Sequence, residues 1–448
     1  MNNTRRQLLR AVGTGAAAAT AGCTGALFGG ETPPPEGPGV ALEPVASGLT
    51  TPTQLVADPA SGRRYVLDQT GQIRTIGSDG LDPEPFLDIG DRVRVSKERG
   101  LLGMAFHPEF PDDPRFFLRY SAPERGELPE DYTHTEVLAE FRTDGDGAVL
   151  PDSERALIEF PAPTPFHNAG DVAFGPDGYL YVTMGESNNE ELAQDVETNL
   201  LGGIHRIDVD GEGEDRPYAI PEDNPLVGET GRPEYYAWGF RNPWKLSFHE
   251  GDPIVGDVGP YSHEEITVVE KGGNHGWPYR HAGHCRDWED GAESGENCGV
   301  DPESVPGGTF TDPVTTFERG EAMGYAVIGG YVYDRDDVPE LEGMYLFGNH
   351  TTDLAEPSGD LLMADPTAGA PWPISRPRIE NGSGGELNRV VTSLGRDAEG
   401  HVYLLTTQVP VEGDRFAHDA GEVFRIVPAG ETEATVPPAS DLTDTPTE

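Results

Sequence analysis

The chain has 448 residues, 58 of them Gly and 41 Pro, with 79 Asp plus Glu against 31 Lys plus Arg and a formal net charge of −48. The Gly and Pro content, with few long apolar repeats of helical period, weighs against a helical fold and points to many short strands and turns. Acidic residues run the whole length and there are only three lysines, Lys97, Lys245 and Lys271, so nucleic acid and anionic lipid headgroups are excluded as partners. A surface charged this evenly matches the halophilic way of staying soluble in brine.

In chain order, residues 1–22 have the pattern of an export signal. Arg5-Arg6 precede an apolar run, Leu8 to Ala19, too short to span a bilayer. The paired arginines resemble the twin-arginine signal, and Thr20-Ala21-Gly22-Cys23 resembles a lipobox whose Cys23 becomes the lipid-modified first residue. Cleavage there removes three arginines and no acid, so −48 becomes −51. The expected location is the outer face of the cell membrane, held only by the lipid. Residues 23–40, with Pro33-Pro34-Pro35, read as a flexible tether.

Residues 41–430 carry a degenerate repeat of apolar strand, turn and aromatic-bearing strand. Examples are Leu55-Val56-Ala57-Asp58-Pro59 before Arg64-Tyr65-Val66-Leu67, and Leu102 to Pro108 before Phe116-Phe117-Leu118-Arg119-Tyr120. Val172-Ala173-Phe174 before Tyr179-Leu180-Tyr181-Val182 is another, and Val391 to Gly400 before Val402-Tyr403-Leu404-Leu405 a fourth. Gly203–Ile207 and residues 422–426 read as hydrophobic edge strands. Such units predict an all-β fold, a β-propeller, and six blades leave about 65 residues for each. Strands at 54–58 and 422–427 are expected to complete one blade and close the ring. Cys285 and Cys298 are the even pair left after Cys23, in a loop expected outside the cell, which predicts a disulfide rather than a metal pair. Residues 431–448 are polar and predict a disordered acidic tail.

Pro165-Phe166-His167-Asn168-Ala169-Gly170-Asp171 places a histidine in a small loop before a strand, a position suited to proton transfer. Three further segments accompany it: Glu98 to Pro108, Trp238-Gly239-Phe240-Arg241-Asn242-Pro243-Trp244, and Gly256 to Ile266 followed by Gly273-Asn274-His275-Gly276-Trp277-Pro278. In this order the four are similar to the soluble glucose/sorbosone dehydrogenases, which use pyrroloquinoline quinone (PQQ).

The resemblance implies a six-bladed propeller with the quinone over the wide end of its channel. It implies His167 as the base that takes the anomeric hydroxyl proton of an aldose, with an external electron acceptor. Arg241 and Asn242 match the pair beside the reactive carbonyls, where a cation stabilises negative charge. Gly259 and Pro260 match backbone ligands of a calcium ion (Ca2+), a hard cation that takes oxygen ligands. Glu98 matches a glutamine near the cofactor.

Departures from the family pattern are visible too. No lysine follows Lys271, and Phe347-Gly348-Asn349-His350-Thr351-Thr352 stands where the glucose oxidisers carry one. Of an Arg-x-Arg pair for the cofactor carboxylates only Arg389 is kept, leaving Arg319, Arg335 or Arg396 as substitutes. Ala326 to Tyr333 and Tyr345 to Gly348 are similar to the branch containing hedgehog-interacting proteins, so a non-catalytic propeller binding a glycan or protein is the alternative. A lactonase with calcium-activated water ranks below both, because no set of carboxylates converges on a metal. His107, His205, His263, His275 and His350 are expected to be structural. Trp238, Trp244 and Trp277 are expected in the core, one of them able to floor a sugar pocket.

Overall fold

Short apolar strands punctuated by glycine and aspartate turns give an all-β, propeller-like architecture. The computed structural model describes residues 32–286, 298, 300, 304–409 and 416–439. The export signal with its twin arginines, the lipid site Cys23 and residues 440–448 of the expected tail lie outside the described residues. Among the described residues no helix is long and apolar enough to cross a membrane.

The first sheet contains Pro52–Ala57, Arg64–Asp68 and Gln72–Gly77 with two short outer strands. The second runs Leu101–Phe106, Arg115–Ala122, His134–Thr143 and Val149–Ala162. The third contains Val172–Phe174, Leu180–Met184, Gly203–Ile207 and Tyr235–Trp238, and the fourth Pro243–His249, Asp252–Asp257, His263–Val268 and Thr315–Glu318. A sheet of eight strands follows, made of two antiparallel runs. One is Tyr325–Val332, Tyr345–Thr351, Asp360–Ala364 and Ile374–Ile379; the other is Val390–Arg396, Val402–Thr407, Gly421–Pro428 and Glu36–Leu49. A parallel pairing of Glu36–Leu49 with Ile374–Ile379 joins them. The first strand of each run lies against the first strand of the next, and Val390–Arg396 returns to Pro52–Ala57.

The strand pairs expected from the repeat form as antiparallel ladders, Pro52–Ala57 on Arg64–Asp68 among them. Four expectations need correction. Gly203–Ile207 and Gly421–Pro428 are paired on both sides and are not edges; burial on both faces, not an edge position, explains their hydrophobicity. The ring is closed by Glu36–Leu49 on Gly421–Pro428, not by residues 54–58. Val40 and Leu42 are fully buried there, so the ordered chain starts inside the segment read as tether. Within the segment read as tail, Val436 is buried and its N–H donates to the Asn381 carbonyl at 2.9 Å, so this part packs on the domain.

Apolar clusters fill the spaces between neighbouring sheets. Tyr65, Leu67 and Ile73 of the first meet Met104, Phe106 and Phe116 of the second. The channel is crossed by a buried polar link. Asp171 Oδ1 accepts from Lys245 Nζ at 3.1 Å and from Gln54 Nε2 at 2.7 Å, and Asp171 Oδ2 from the Leu246 N–H at 2.8 Å. These residues belong to the first, third and fourth sheets, so one carboxylate ties together inner strands far apart in sequence.

Candidate functional site at the channel mouth

Residues just before a first strand, or just after a second, collect at one end of the ring. Glu98 precedes Leu101–Phe106, His167 precedes Val172–Phe174, and Arg241-Asn242 precede Pro243–His249. Glu186 follows Leu180–Met184, and Gly259 follows Asp252–Asp257. Four of the residues named from sequence meet in one network. His167 Nδ1 lies 2.9 Å from Glu186 Oε1, and His167 Nε2 lies 2.9 Å from Arg241 Nη2. Asn242 Nδ2 donates to Glu98 Oε2 at 3.1 Å, and Asn242 Oδ1 accepts from the Ala169 N–H at 2.9 Å.

The loop around His167 is held in an unfavourable backbone conformation. His167 has φ 53° and Ala169 φ 48°, the left-handed region that non-glycine residues avoid. Its position depends on a close approach: a Cβ on Gly185 would lie 2.1 Å from the His167 carbonyl oxygen. That carbonyl accepts from the Ser187 N–H at 3.1 Å.

The partners also fix the tautomer. A carboxylate only accepts and a guanidinium only donates, so Nδ1 of His167 carries the hydrogen and Nε2 presents its lone pair. Two buried polar atoms next to this pair have no partner: Oδ1 of Asn168, adjoining His167, and Nε1 of Trp277, whose ring lies 5.6 Å from the Arg241 guanidinium.

Asp257 organises the backbone of the arginine–asparagine pair, accepting from the Arg241 N–H at 3.0 Å and the Asn242 N–H at 2.6 Å. Burial and the negative charge of Glu265 push its carboxyl up to about 7. A carboxyl whose folded pKa is raised contributes stability that is complete below its ordinary value and lost as pH rises through about 7. Asp257→Asn removes this slope and leaves one backbone donor unmatched. The stability gap between wild type and variant should therefore narrow by on the order of 2 kcal/mol between pH 5 and pH 8, read by urea denaturation. A gap independent of pH refutes this account of Asp257.

Gly259 and Arg389, also named from sequence, are held by protein groups. The Gly259 carbonyl, expected on calcium, accepts from Arg241 Nη1 at 3.1 Å and also from Arg319 Nη1. Pro260 is half-buried beside it. Arg389, expected at the cofactor carboxylates, is fully buried and ion-paired with Glu422, and its Nη1 donates to the Pro437 carbonyl at 3.0 Å. A blade-start arginine is here a structural ion pair. Arg335 and Arg396 pair with Asp337 and Asp334 at 3.2 and 3.3 Å, while Arg319, paired with Glu264 at 3.0 Å, is the one of the three that reaches the Gly259 carbonyl. Cys285 and Cys298 are disulfide-bonded.

A cavity of about 200 Å³ opens beside this network, walled by Leu102, Trp244, Val258 and Ile328, with Lys97 and His350 also lining it. His350 Nδ1 is 2.7 Å from the Val391 carbonyl, so of the histidines expected to be structural this one faces the cavity. His205 and His275 behave as core residues, burial pushing both down to about 3. A larger hollow of about 520 Å³ lies against outer strands of the second and third sheets. Its Arg216 and Arg232 are paired with Glu234, and none of the four motif segments reaches it.

Among the described residues one group could bring three metal ligands together, His107, Asp113 and Asp210. Arg115 already sits among them, its Nη2 on both aspartates, at the ends of the strands away from His167. Glu186, Asp257 and Lys97 were not assigned from sequence, and Arg319 was named only as one of three substitute cations. For Glu186 the available signal was a Gly-Glu-Ser turn at the end of the strand beside the His167 loop.

A family model described as Glucose / Sorbosone dehydrogenase matches residues 49–356. The HIPL1 protein of Arabidopsis thaliana is 29% identical over 466 aligned residues, covering 85% of the chain and 64% of that protein. The Hedgehog-interacting protein of Homo sapiens is 25% identical, covering 90% of the chain and 55% of that protein. The chain thus spans between half and two thirds of the length of these relatives. The solved structure of the PQQ-bound aldose sugar dehydrogenase from Streptomyces coelicolor superposes with a TM-score of 0.63 at 20% identity, over 88% of the chain and 99% of that structure. This likeness shows the fold.

Proposed function

The chain belongs to the glucose/sorbosone dehydrogenase family, and from that premise we propose that it is a PQQ-dependent oxidoreductase acting on an aldose sugar. The two antiparallel runs of the eight-stranded sheet, counted with the four other sheets of four or five strands and leaving aside a two-stranded ribbon, support six blades. The observation that carries the proposal is the Glu186–His167–Arg241 chain, with both imidazole nitrogens held at 2.9 Å.

The residues present fit such a cofactor at its reactive end. Arg241 and Asn242 adjoin the cavity, its apolar walls suit a planar ring system, and Lys97 lines it as a cation. When bound, the quinone supplies the two-electron acceptor for hydride from the anomeric carbon. Glu186 holds the Nδ1 hydrogen of His167 and so directs the Nε2 lone pair outward, where it can take the proton of a sugar hydroxyl. Arg241 donates to that lone pair in the structure and has further acceptors in the Val258 and Gly259 carbonyls, at 2.7 and 3.1 Å. It can therefore yield Nε2 to a substrate without losing every partner. Positive charge at this point stabilises negative charge developing on a bound carbonyl oxygen.

Export by the twin-arginine signal, anchoring through Cys23, a halophilic setting and an external electron acceptor are parts of the same proposal. One observation favours a second reading. With Arg389 buried against Glu422, the carboxylates of a trianionic quinone meet fewer cations than the family pattern supplies. A propeller that binds a glycan or protein at this mouth requires none of them.

The deciding experiment titrates the protein with PQQ in molar salt, by quenching of tryptophan fluorescence, and then follows dye reduction with a panel of aldoses. Saturable binding followed by sugar-dependent reduction is expected. Absence of both overturns the dehydrogenase reading in favour of the binding module.

A further inference from the structure

We propose that this site recognises its anionic cofactor without calcium, the guanidinium of Arg319 taking the electrostatic place of the metal. The inference rests on the reading of the mouth as a quinone site. The family likeness put calcium on the carbonyls of Gly259 and Pro260, yet the donor set does not fit a divalent cation. A carbonyl oxygen has two lone pairs, and that of Gly259 accepts from two guanidinium groups, Arg241 and Arg319. An ion at a coordination distance of about 2.4 Å from this oxygen would face both positive charges.

The nearest carboxylate is equally committed. Glu264 is fully buried, with Oε1 on Arg319 Nε at 3.0 Å and on the Ala326 N–H at 2.9 Å. Its Oε2 accepts from the Gly259 and Val327 N–H groups, both at 3.1 Å. Calcium binds six to eight oxygens and draws affinity from anionic ones; here Glu264, beside Gly259, is already paired with an arginine. The same bonds make Arg319 a fixed cation. Glu264 orients it, Gly259 receives it, and the Tyr325 ring lies 5.8 Å from its guanidinium. Arg241 Nη1 donates to the Val258 carbonyl, Arg319 shares Glu264 Oε1 with the Ala326 N–H, and Val258 and Ala326 both line the cavity. A rigid guanidinium suits carboxylate and carbonyl oxygens of an anionic ligand.

The test uses full-length protein in molar salt and reads PQQ binding by tryptophan quenching, in excess chelator and in millimolar calcium. Binding that differs by less than about twofold between the two conditions is the expected result, since a ligand that does not bind the site cannot be linked to it. Binding that tightens by about tenfold or more with calcium overturns the inference while leaving the quinone reading intact. No binding in either condition overturns both. A second arm replaces Arg319 by Ala together with Glu264→Gln, which avoids leaving a buried charge unpaired. In chelator this variant should bind PQQ at least about tenfold more weakly than wild type. Equal affinity in the variant would show that Arg319 is only a structural partner of Glu264.

Discussion

Alanine at position 167 is expected to lower turnover of the PQQ-loaded protein with an aldose by about 10²–10⁴, the range for loss of a positioned general base. The fold should survive, because the contacts that shape this loop are made by backbone. The His167 carbonyl accepts from the Ser187 N–H, and the Ala169 N–H donates to Asn242. PQQ binding, by contrast, should change little, since Asn242, Lys97 and the cavity walls are untouched. Glu186→Gln is the companion variant. Its amide can donate to Nδ1, which moves the imidazole hydrogen to Nε2, the atom that must accept. Turnover in that variant should fall by a comparable factor with an unchanged thermal midpoint. Retention of wild-type kcat in both variants removes His167 from the chemistry.

The largest effect on stability is expected at Lys245. Its ammonium and the Asp171 carboxylate are both about 3% exposed. Burial alone would lower the pKa of this lysine, and the facing Asp171 more than offsets it, so the group is held above its ordinary value. Lys245→Met leaves Asp171 buried with hydrogen bonds but no countercharge, and should reduce stability by about 3–5 kcal/mol. Pairing it with Asp171→Leu should recover most of that loss, because an apolar pair of similar volume also escapes the desolvation of two ions. Urea denaturation of the two single variants and the double variant gives the coupling energy directly. A double variant no more stable than Lys245→Met would show that Asp171 acts through its bonds to Gln54 and the Leu246 N–H instead. Since Asp171 ends the loop that carries His167, Lys245→Met should also blur the geometry of the base and lower kcat before the protein unfolds.

Much of the fold was legible because its signals are local. Apolar pairs separated by Pro-Asp-Gly or Asp-Ala-Glu-Gly turns specify antiparallel hairpins within some fifteen residues. The His167 loop was legible for the same reason: a strand follows it at once, and an inner strand fixes where its preceding loop must lie. What failed depends on partners distant in sequence. Glu36-Gly37-Pro38-Gly39 has the composition of a tether, yet the strand it opens pairs with residues near 376 and 428, and sheet pairing overrides composition. Asn388-Arg389 marks the start of a blade, but nothing near it reveals that its charge is met by Glu422, 33 residues on. Lys245 was only one of three lysines in a composition, because its partner lies 74 residues earlier. The Arg319–Gly259 contact, across 60 residues, is invisible for the same reason.

The strand that closes the ring has a consequence for synthesis. Val40 lies opposite Pro428 in the finished ladder, so a nascent chain carries Glu36–Leu49 unpartnered until almost the whole barrel of strands has left the ribosome. During that interval two open strand edges and the apolar side chains of Val40 and Leu42 stand uncovered, surfaces prone to pairing with other chains. Ring closure is thus a late checkpoint: a chain that stops short of residue 421 can pair Glu36–Leu49 with Ile374–Ile379 but leaves its other edge open, and a holdase chaperone that binds unpaired strands would select such chains from completed ones.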